Sequence, residues 1–260
     1  MSRAILFASF GTADEDVKKS CLDPILEDLK FEFPDDKLIS VYTSEILRKK
    51  AEEKGMLVPG LSETLDMLLS KQYDTVFIQP SHITPGEEYQ HKLQEIVAGY
   101  ADKFATLRLG EPLLSQPGDY QKLLYAILQD LHVPSGHQLV LVGHGSPHQH
   151  NEAYENMQKH IDKEGLPIHI GVLEKTDTPS FEDVRKRLEK DGEKNVVLAP
   201  LLLLNGMHVM RDIAGEGEDS WKSRLEKAGF TVRTFSHGLG EYPGVRRMIA
   251  DKLLHLAGKA

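Results

Sequence analysis

The sequence predicts an α/β protein of two similar lobes, each a doubly wound four-stranded parallel sheet flanked by helices. Three observations carry that expectation. Apolar runs of strand length alternate with amphipathic stretches at helical spacing, the pattern of βαβ units. Four such runs fall in each half of the 260 residues, which suit two domains of about 130 residues each. The halves also match one another. Phe7-Ala8-Ser9-Phe10-Gly11-Thr12 lines up with Leu141-Val142-Gly143-His144-Gly145-Ser146, an offset of 134 residues. Val76-Phe77-Ile78-Gln79-Pro80, then Gly86 and Glu88, lines up with Val196-Val197-Leu198-Ala199-Pro200, then Gly206 and His208. Leu107-Arg108-Leu109 before Pro117-Gly118 lines up with Val232-Arg233-Thr234 before Pro243-Gly244. A duplicated domain explains matches that keep their order, and the second copy carries histidines at its strand ends. A cleft between two such lobes is a natural place for a flat ligand.

The elements follow in order. The run near 4–9 resembles a weak signal peptide, but Gly11 and Asp14-Glu15-Asp16 follow at once and no small-residue cleavage site appears. It therefore reads as the first buried strand, and the missing signal favours the cytoplasm. An amphipathic stretch from Val17 to Phe31 leads to a strand near 38–42. Leu61 to Leu69 reads as a helix before the strand near 75–79, and a run near 105–109 closes the first half. Pro134-Ser135-Gly136 marks the boundary, giving lobes 1–134 and 135–260. The second half repeats the pattern at 138–142, 168–173, 195–204 and 231–235, with a helix from Phe181 to Leu188. The last helix, about 243–257, belongs to the second lobe or crosses back to the first.

Composition narrows the function. A 40% apolar and 27% charged chain is ordinary for a soluble globular protein, and no apolar run approaches the roughly 18 residues of a membrane span. The single cysteine, Cys21, excludes an internal disulfide and a thiolate cluster. Any metal must be held by nitrogen and oxygen. A net charge of -9 argues against nucleic-acid binding, and an anionic ligand would need local basic groups and backbone N–H donors. The Gly-x-x-x-x-Gly-Lys-Ser/Thr loop is missing, so no nucleotide is expected; Gly-x-Gly-x-x-Gly, the Gly-x-Ser-x-Gly elbow and His-Glu-x-x-His are missing too.

Ligands of open parallel sheets bind beyond the carboxyl ends of the strands. Gly11, Gly145, the Pro85-Gly86 turn and Asn205-Gly206 all lie there. His144 stands between glycines after the run Leu139 to Val142, where the backbone can turn sharply and leave the imidazole exposed. The N–H groups that follow are expected to begin a helix and to receive an anionic carboxylate; alternatively His144 only caps that helix. Glu174 follows Ile168 to Leu173, and His208 follows Leu198 to Leu204 and Asn205-Gly206. In a parallel fold these three strand ends can converge. Two imidazoles and one carboxylate suit a borderline divalent cation such as Co²⁺, Fe²⁺, Ni²⁺ or Zn²⁺, and three protein ligands leave positions open for a metal that is passed on.

Lesser candidates accompany them. His148 and His150 form a local metal clip or a solvated loop. Glu88, the counterpart of His208, handles protons or delivers metal across the cleft, or is a first-turn glutamate favoured by the helix dipole. Asp212, Glu216, Glu218 and Asp219 make a solvated acidic face or concentrate cations. Arg48-Lys49-Lys50 decorates a helix or meets substrate carboxylates, and His82 is packed or functional.

At this point the residues match a known family. Ser9-Phe10-Gly11-Thr12, Tyr42-Thr43-Ser44, His82-Ile83 with Gly86-Glu87-Glu88-Tyr89, and Gly110 with Pro112-Leu113-Leu114-Ser115 carry the match in the first half. Gly143-His144-Gly145, Glu174, Pro200-Leu201, Gly206 with His208, Asp219-Ser220-Trp221-Lys222 and Gly238-Leu239-Gly240-Glu241 carry it in the second. Over essentially its whole length the chain resembles the anaerobic, ATP-independent cobalt chelatases, class II enzymes that load Co²⁺ into sirohydrochlorin on the way to cobalamin and share their fold with ferrochelatase. The resemblance implies that His144, Glu174 and His208 are the metal-binding and catalytic trio, with Glu88 a further acidic residue. It also implies that Ser9, Phe10, Gly11, Thr12, Gly145 and Ser146 hold the tetrapyrrole. The loop from Ser146 to Tyr154 is richer in histidine and polar groups than the family pattern, and His237 stands where a smaller residue is usual; both bear on metal preference or assembly. The expected partners are sirohydrochlorin or a related tetrapyrrole and a divalent metal, with no nucleic acid and no membrane, and a homo-oligomer is left open. The rival readings are a chelatase for Fe²⁺ or Ni²⁺ and a non-catalytic carrier of tetrapyrrole or metal.

Overall fold

The computed structural model describes residues 2–147 and 150–259. In chain order it contains β1 (Arg3–Ser9), α1 (Glu15–Val17), α2 (Asp23–Glu32), β2 (Lys37–Tyr42), α3 (Glu45–Glu53), α4 (Leu61–Ser70), β3 (Thr75–Pro80), α5 (Gln94–Ala98), β4 (Thr106–Leu109) and α6 (Pro117–Asp130). There follow β5 (Gln138–Gly143), α7 (Glu152–Glu164), β6 (Ile168–Val172), α8 (Phe181–Asp191), β7 (Asn195–Pro200), α9 (Trp221–Lys227), β8 (Thr231–Thr234) and α10 (Pro243–Leu256). Three π-helical turns interrupt these, at Lys18–Leu22, Glu88–Leu93 and His208–Ile213.

The strands form two four-stranded sheets in the orders β2-β1-β3-β4 and β6-β5-β7-β8, with every pairing parallel. The second order is the first with four added to each number, as a duplication requires. Central strands covered on both faces must be apolar throughout; β1 buries every residue from Ala4 to Ser9, and β5 is buried from end to end. Leu6, Leu65 and Ile78 anchor the core on one face of the first sheet, and Val142, Leu198 and Trp221 anchor the equivalent core of the second.

The chain divides into two compact units, one of Met1–Ser115 with Pro243–Ala260 and one of Gln116–Tyr242. This differs from a single cut at Pro134-Ser135-Gly136. The helix that closes each half belongs to the other half's unit. Helix α6 packs on α7, with the Gln121 amide donating to Glu164 at 3.2 Å. Helix α10 packs on α2 and β3, fastened by Arg246 on Asp28 and Arg247 on Glu32, both at 2.7 Å.

Helix starts follow the side chains available. Asp14, Ser44, Asn151, Ser180 and Ser220 cap their helices by accepting backbone N–H groups. The strand expected over 195–204 ends at Pro200. Beyond it Leu201 and Leu203 stay buried in a loop, and only the first of these residues still reaches the sheet, Leu201 N–H donating to Val142. The stretch from Val17 to Phe31 is helical with a π insertion at Lys18–Leu22. No helix among the described residues is long and apolar enough to cross a membrane.

Candidate functional site

In a doubly wound sheet the ligand crevice opens where the strand order reverses. In the second sheet that point lies between β5 and β7. His144 is the first residue after β5, and His208 opens the turn that follows β7, so the two flank the reversal. Their rings meet edge to face, with centroids 4.9 Å apart and planes at 89°.

The backbone ladder carries the neighbouring strand end into the same place. Leu173 and Glu174 continue the β6–β5 pairing beyond the strands, their N–H groups donating to Gly143 and His144 at 3.0 and 2.9 Å. This sets Glu174 Oε1 3.9 Å from His144 Nδ1. Gly145 makes the approach feasible: it sits at φ 79°, and a Cβ there would lie 3.0 Å from Val172 and 3.1 Å from Glu174.

Each imidazole is tied back through one nitrogen. His144 Nδ1 lies 3.2 Å from the Gly145 carbonyl, which can only accept, so Nδ1 carries a proton and in the neutral ring the lone pair is on Nε2. His208 Nδ1 lies 2.8 Å from Asp212 Oδ2, with the same consequence. A carboxylate or carbonyl on the far nitrogen fixes the tautomer and makes the ring a better metal ligand. Arg211, hydrogen-bonded to Asp212, holds that carboxyl below the usual carboxylate range, and His208 adds to the effect. The side chains of His144, Glu174 and His208 are 43%, 32% and 51% exposed, so all three are open to solvent.

The trio is not a finished cage. Among the described residues no set of three or more His, Cys, Asp or Glu side chains is arranged to hold a metal. Glu174 approaches the His144 nitrogen that is already engaged, so the arrangement is a pair of imidazoles with a carboxylate on the flank. Imidazole and carboxylate are donor types that suit a borderline cation, and this arrangement does not enclose one.

The loop after His144 differs from the sequence expectation. The N–H groups of Gly145 and Ser146 begin no helix, because α7 opens only at Glu152, and they are taken by side chains of the protein itself. Gly145 N–H donates to Tyr154 Oη at 3.4 Å, and Ser146 N–H donates to Asp177 Oδ2 at 2.8 Å. The Asp177 carboxylate is fully buried. Its Oδ1 accepts from Thr178 N–H at 2.8 Å, Asn151 N–H at 3.3 Å and His150 Nδ1 at 2.7 Å. Asp177 thus binds the His144 loop to the Glu174 loop. Nothing in the spacing of the sequence singled it out; an aspartate just beyond a strand end, in Asp177-Thr178-Pro179, was the available signal. Asp212 carried a clearer one, four residues after His208 on a helical turn.

The other candidates fall as follows. His150 is a loop brace between Asp177 and Glu155, and His148 lies outside the described residues. Glu88 opens the π turn of the first unit and pairs with Lys92. His82 has both ring nitrogens sealed from solvent, and burial lowers its pKa to about 4. Ser9 and Thr12 are buried, Phe10 is 45% exposed, and Gly11 turns at φ 102°. Lys49 pairs with Glu45 and Arg48 with Glu63 at the surface, and Glu216 pairs with Lys222.

Comparison with known proteins first defines the class. SirB from Bacillus subtilis with Fe³⁺ superposes with a TM-score of 0.69 at 15% identity, covering 99% of this chain and 96% of SirB. CbiX, the terminal enzyme for biosynthesis of siroheme in denitrifying bacteria, gives 0.57 at 16% identity, covering 97% of this chain and 99% of CbiX. The fold is the chelatase fold. Sequence then gives the family: the cobalt chelatase (CbiK) model matches residues 3–257, and the chain belongs to that family. The sirohydrochlorin cobaltochelatase of Salmonella typhimurium strain LT2 is 33% identical over 97% of this chain and 96% of its own length. The sirohydrochlorin cobaltochelatase CbiKC of Nitratidesulfovibrio vulgaris is 30% identical over 96% of this chain and 89% of its own length.

Proposed function

We propose that this chain is a sirohydrochlorin cobaltochelatase, inserting Co²⁺ into sirohydrochlorin without ATP in the anaerobic synthesis of cobalamin. The observation that carries the reading is the edge-to-face pair of His144 and His208 at the sheet's reversal point, each with its Nδ1 tied back. Two neighbouring imidazoles on an exposed edge are thereby left with one untied nitrogen each, which is what a transferable cation needs.

Insertion replaces two pyrrole N–H protons with one divalent cation. His144 and His208 hold Co²⁺ as substrate, and Glu174 balances its charge. As ring nitrogens take the ion, an imidazole that lets go becomes free to accept a proton. The second proton leaves through Glu174. An open two-imidazole seat favours this exchange, because a closed cage would retain the metal. Tetrapyrrole contacts are assigned to Ser9, Phe10, Gly11, Thr12 and Gly145, with Ser146 acting through the shape of its loop. Glu88 is assigned the further acidic role, with its ion pair to Lys92 opened when it acts.

The test mixes the protein, metal-free sirohydrochlorin and Co²⁺ without ATP and follows the absorbance spectrum. Many turnovers per chain are expected, with Co²⁺ preferred over Fe²⁺ and Ni²⁺ in the same assay. One binding event per chain would make the protein a carrier. His144→Ala is expected to lower the rate at least about 100-fold while leaving the thermal midpoint unchanged, since the side chain is 43% exposed. Near-normal turnover of that variant would refute the mechanism.

A further inference from the structure

The geometry points to a second cation site at His237 and Glu241, a landing position for hydrated Co²⁺ that feeds the His208–His144 seat. This rests on the proposed chelatase reading and extends it to how the metal arrives.

The duplication supplies the first argument. Corresponding loop residues of the two halves are marked by equivalent backbone hydrogen bonds. Ser44 N–H donates to Phe10 as Glu174 N–H donates to His144, and Leu113 N–H donates to His82 as Leu239 N–H donates to Leu202. The positions after the four strands of the first sheet therefore carry Phe10, Ser44, Glu88 and Glu111. Those after the second carry His144, Glu174, His208 and His237. The first three second-half residues are the metal-holding set proposed above. His237 is the fourth, and it completes a row with one metal-capable side chain beyond every strand of that sheet.

Its local geometry repeats that of His208. His237 Nδ1 lies 2.8 Å from Glu241 Oε2, as His208 Nδ1 lies 2.8 Å from Asp212 Oδ2, and each carboxylate stands four residues on. The carboxylate can only accept, so in the neutral ring the lone pair is on His237 Nε2, on a side chain 61% exposed. Glu241 is itself held, with Oε1 accepting from Gly238 N–H at 2.8 Å and Asn205 Nδ2 at 3.0 Å. An imidazole braced in this way is presented as a ligand, its ring orientation fixed by the carboxylate behind it.

The two histidines also share one rigid edge. Strand β8 runs parallel beside β7, and their following loops are joined by Leu239 N–H to Leu202 at 2.8 Å and Gly240 N–H to Leu203 at 3.0 Å. Asn205, which donates to Glu241, lies three residues before His208. An ion held at His237 by one imidazole and water is bound weakly, as a transit position requires. The adjacent imidazole pair then draws it onward by offering two nitrogens.

Two measurements test this. In the first, Co²⁺ alone is titrated into the His144→Ala/His208→Ala double variant while imidazole ¹⁵N resonances are followed. Saturable perturbation of His237 Nε2, abolished by His237→Gln, is expected; an unperturbed His237 overturns the site. This reading needs no turnover, so it stands apart from any failure of the chelatase reading. In the second, His237→Gln in the otherwise unchanged protein is expected to raise the KM for Co²⁺ about tenfold without moving the KM for sirohydrochlorin. Binding at His237 with an unaltered KM for Co²⁺ would overturn the delivery role.

Discussion

Replacing Asp177 with asparagine asks whether His144 and Glu174 work only when their loops are held together. The carboxylate has no exposed surface and accepts backbone N–H groups from Ser146 at 2.8 Å, Thr178 at 2.8 Å and Asn151 at 3.3 Å, together with His150 Nδ1 at 2.7 Å. Asparagine keeps one acceptor and turns the other into a donor. With its oxygen toward Thr178, its NH₂ group faces Ser146 N–H, donor against donor. A buried donor left without an acceptor costs about 1–3 kcal/mol, and each remaining bond drops from about 1.5–3 kcal/mol to about 0.5–1.5 once the charge is gone. Over the orphaned donor and the three remaining bonds the sum is roughly 4–7 kcal/mol, concentrated in two loops. Those loops can relax by letting go of each other, so part of it is expressed as misplacement of His144 and not as unfolding. We expect kcat/KM to fall about 100-fold, equivalent to about 2.7 kcal/mol of transition-state stabilisation, with a thermal midpoint lower by only a few degrees. Turnover and thermal denaturation are measured on the same preparation. If Asp177→Asn turns over normally at a temperature where it is fully folded, Asp177 is a structural brace with no bearing on the site.

Two further outcomes follow from packing and burial. His169 is 2% exposed, and Arg187 donates to its Nδ1 at 3.2 Å, so the ring is neutral; burial, reinforced by Arg187, lowers its pKa to about 4 from 6.5. Between those values the unfolded chain binds a proton that the fold refuses, so stability is complete above about pH 6.5 and is lost as the pH falls toward 4. At pH 5 the loss from His169 is about 2 kcal/mol, and His82 contributes with the same sign. Urea midpoints at pH 7 and pH 5 should show it, and a drop of the same size in His169→Gln would exclude His169 as the cause. Gly171→Ala would set a Cβ 2.2 Å from the ring of Trp221, which is 2% exposed and packed against Phe181 at 5.0 Å. Overpacking of this kind costs about 1–3 kcal/mol. Since Trp221 is the chain's one tryptophan, its near-ultraviolet dichroism should change with the fall in thermal midpoint; an unaltered spectrum and midpoint would contradict the packing.

Period and punctuation make most of the fold legible in the sequence. Buried parallel strands must be apolar throughout, so Ala4 to Ala8 and Leu139 to Val142 are unmistakable in the sequence. The matched Gly86 and Gly206 foretold matched turns. Two features are not settled there because they depend on contacts far apart in the chain. That α10 crosses back is one of two readings open in the sequence; the choice, and the matching transfer of α6, are fixed by distant pairs such as Arg246 with Asp28. Leu201 to Leu204 reads as strand because burial, not pairing, selects its leucines. At the proposed site, the strand-end positions of His144, Glu174 and His208 are legible, since the ends of parallel strands are predictable from the strands. Asp177 is not, because its role is to accept N–H groups from three loop positions, and a carboxylate doing so looks like any surface aspartate until the loops are folded.

The two halves share a scaffold and differ at the edge proposed to hold the metal. Topology, strand register and even the π turns at Glu88–Leu93 and His208–Ile213 are common to both. Such turns recur at functional sites. The device is therefore present twice, but its first residue is a glutamate paired with Lys92 in one unit and a histidine backed by Asp212 in the other. Glutamate neutralised by lysine offers a cation little, whereas imidazole backed by a carboxylate offers a lone pair strengthened by the charge behind it. The difference in chemistry between the sheets thus lies in a few side chains on an inherited frame. Moving the device should move the property: Glu88→His with Lys92→Asp would place an imidazole before a carboxylate on the first unit's turn. Saturable Co²⁺ binding at the new imidazole, read from its ¹⁵N resonance, is expected; a Lys92→Asp/Glu88→His protein that folds and leaves that resonance unmoved would show that the turn alone does not make the ligand.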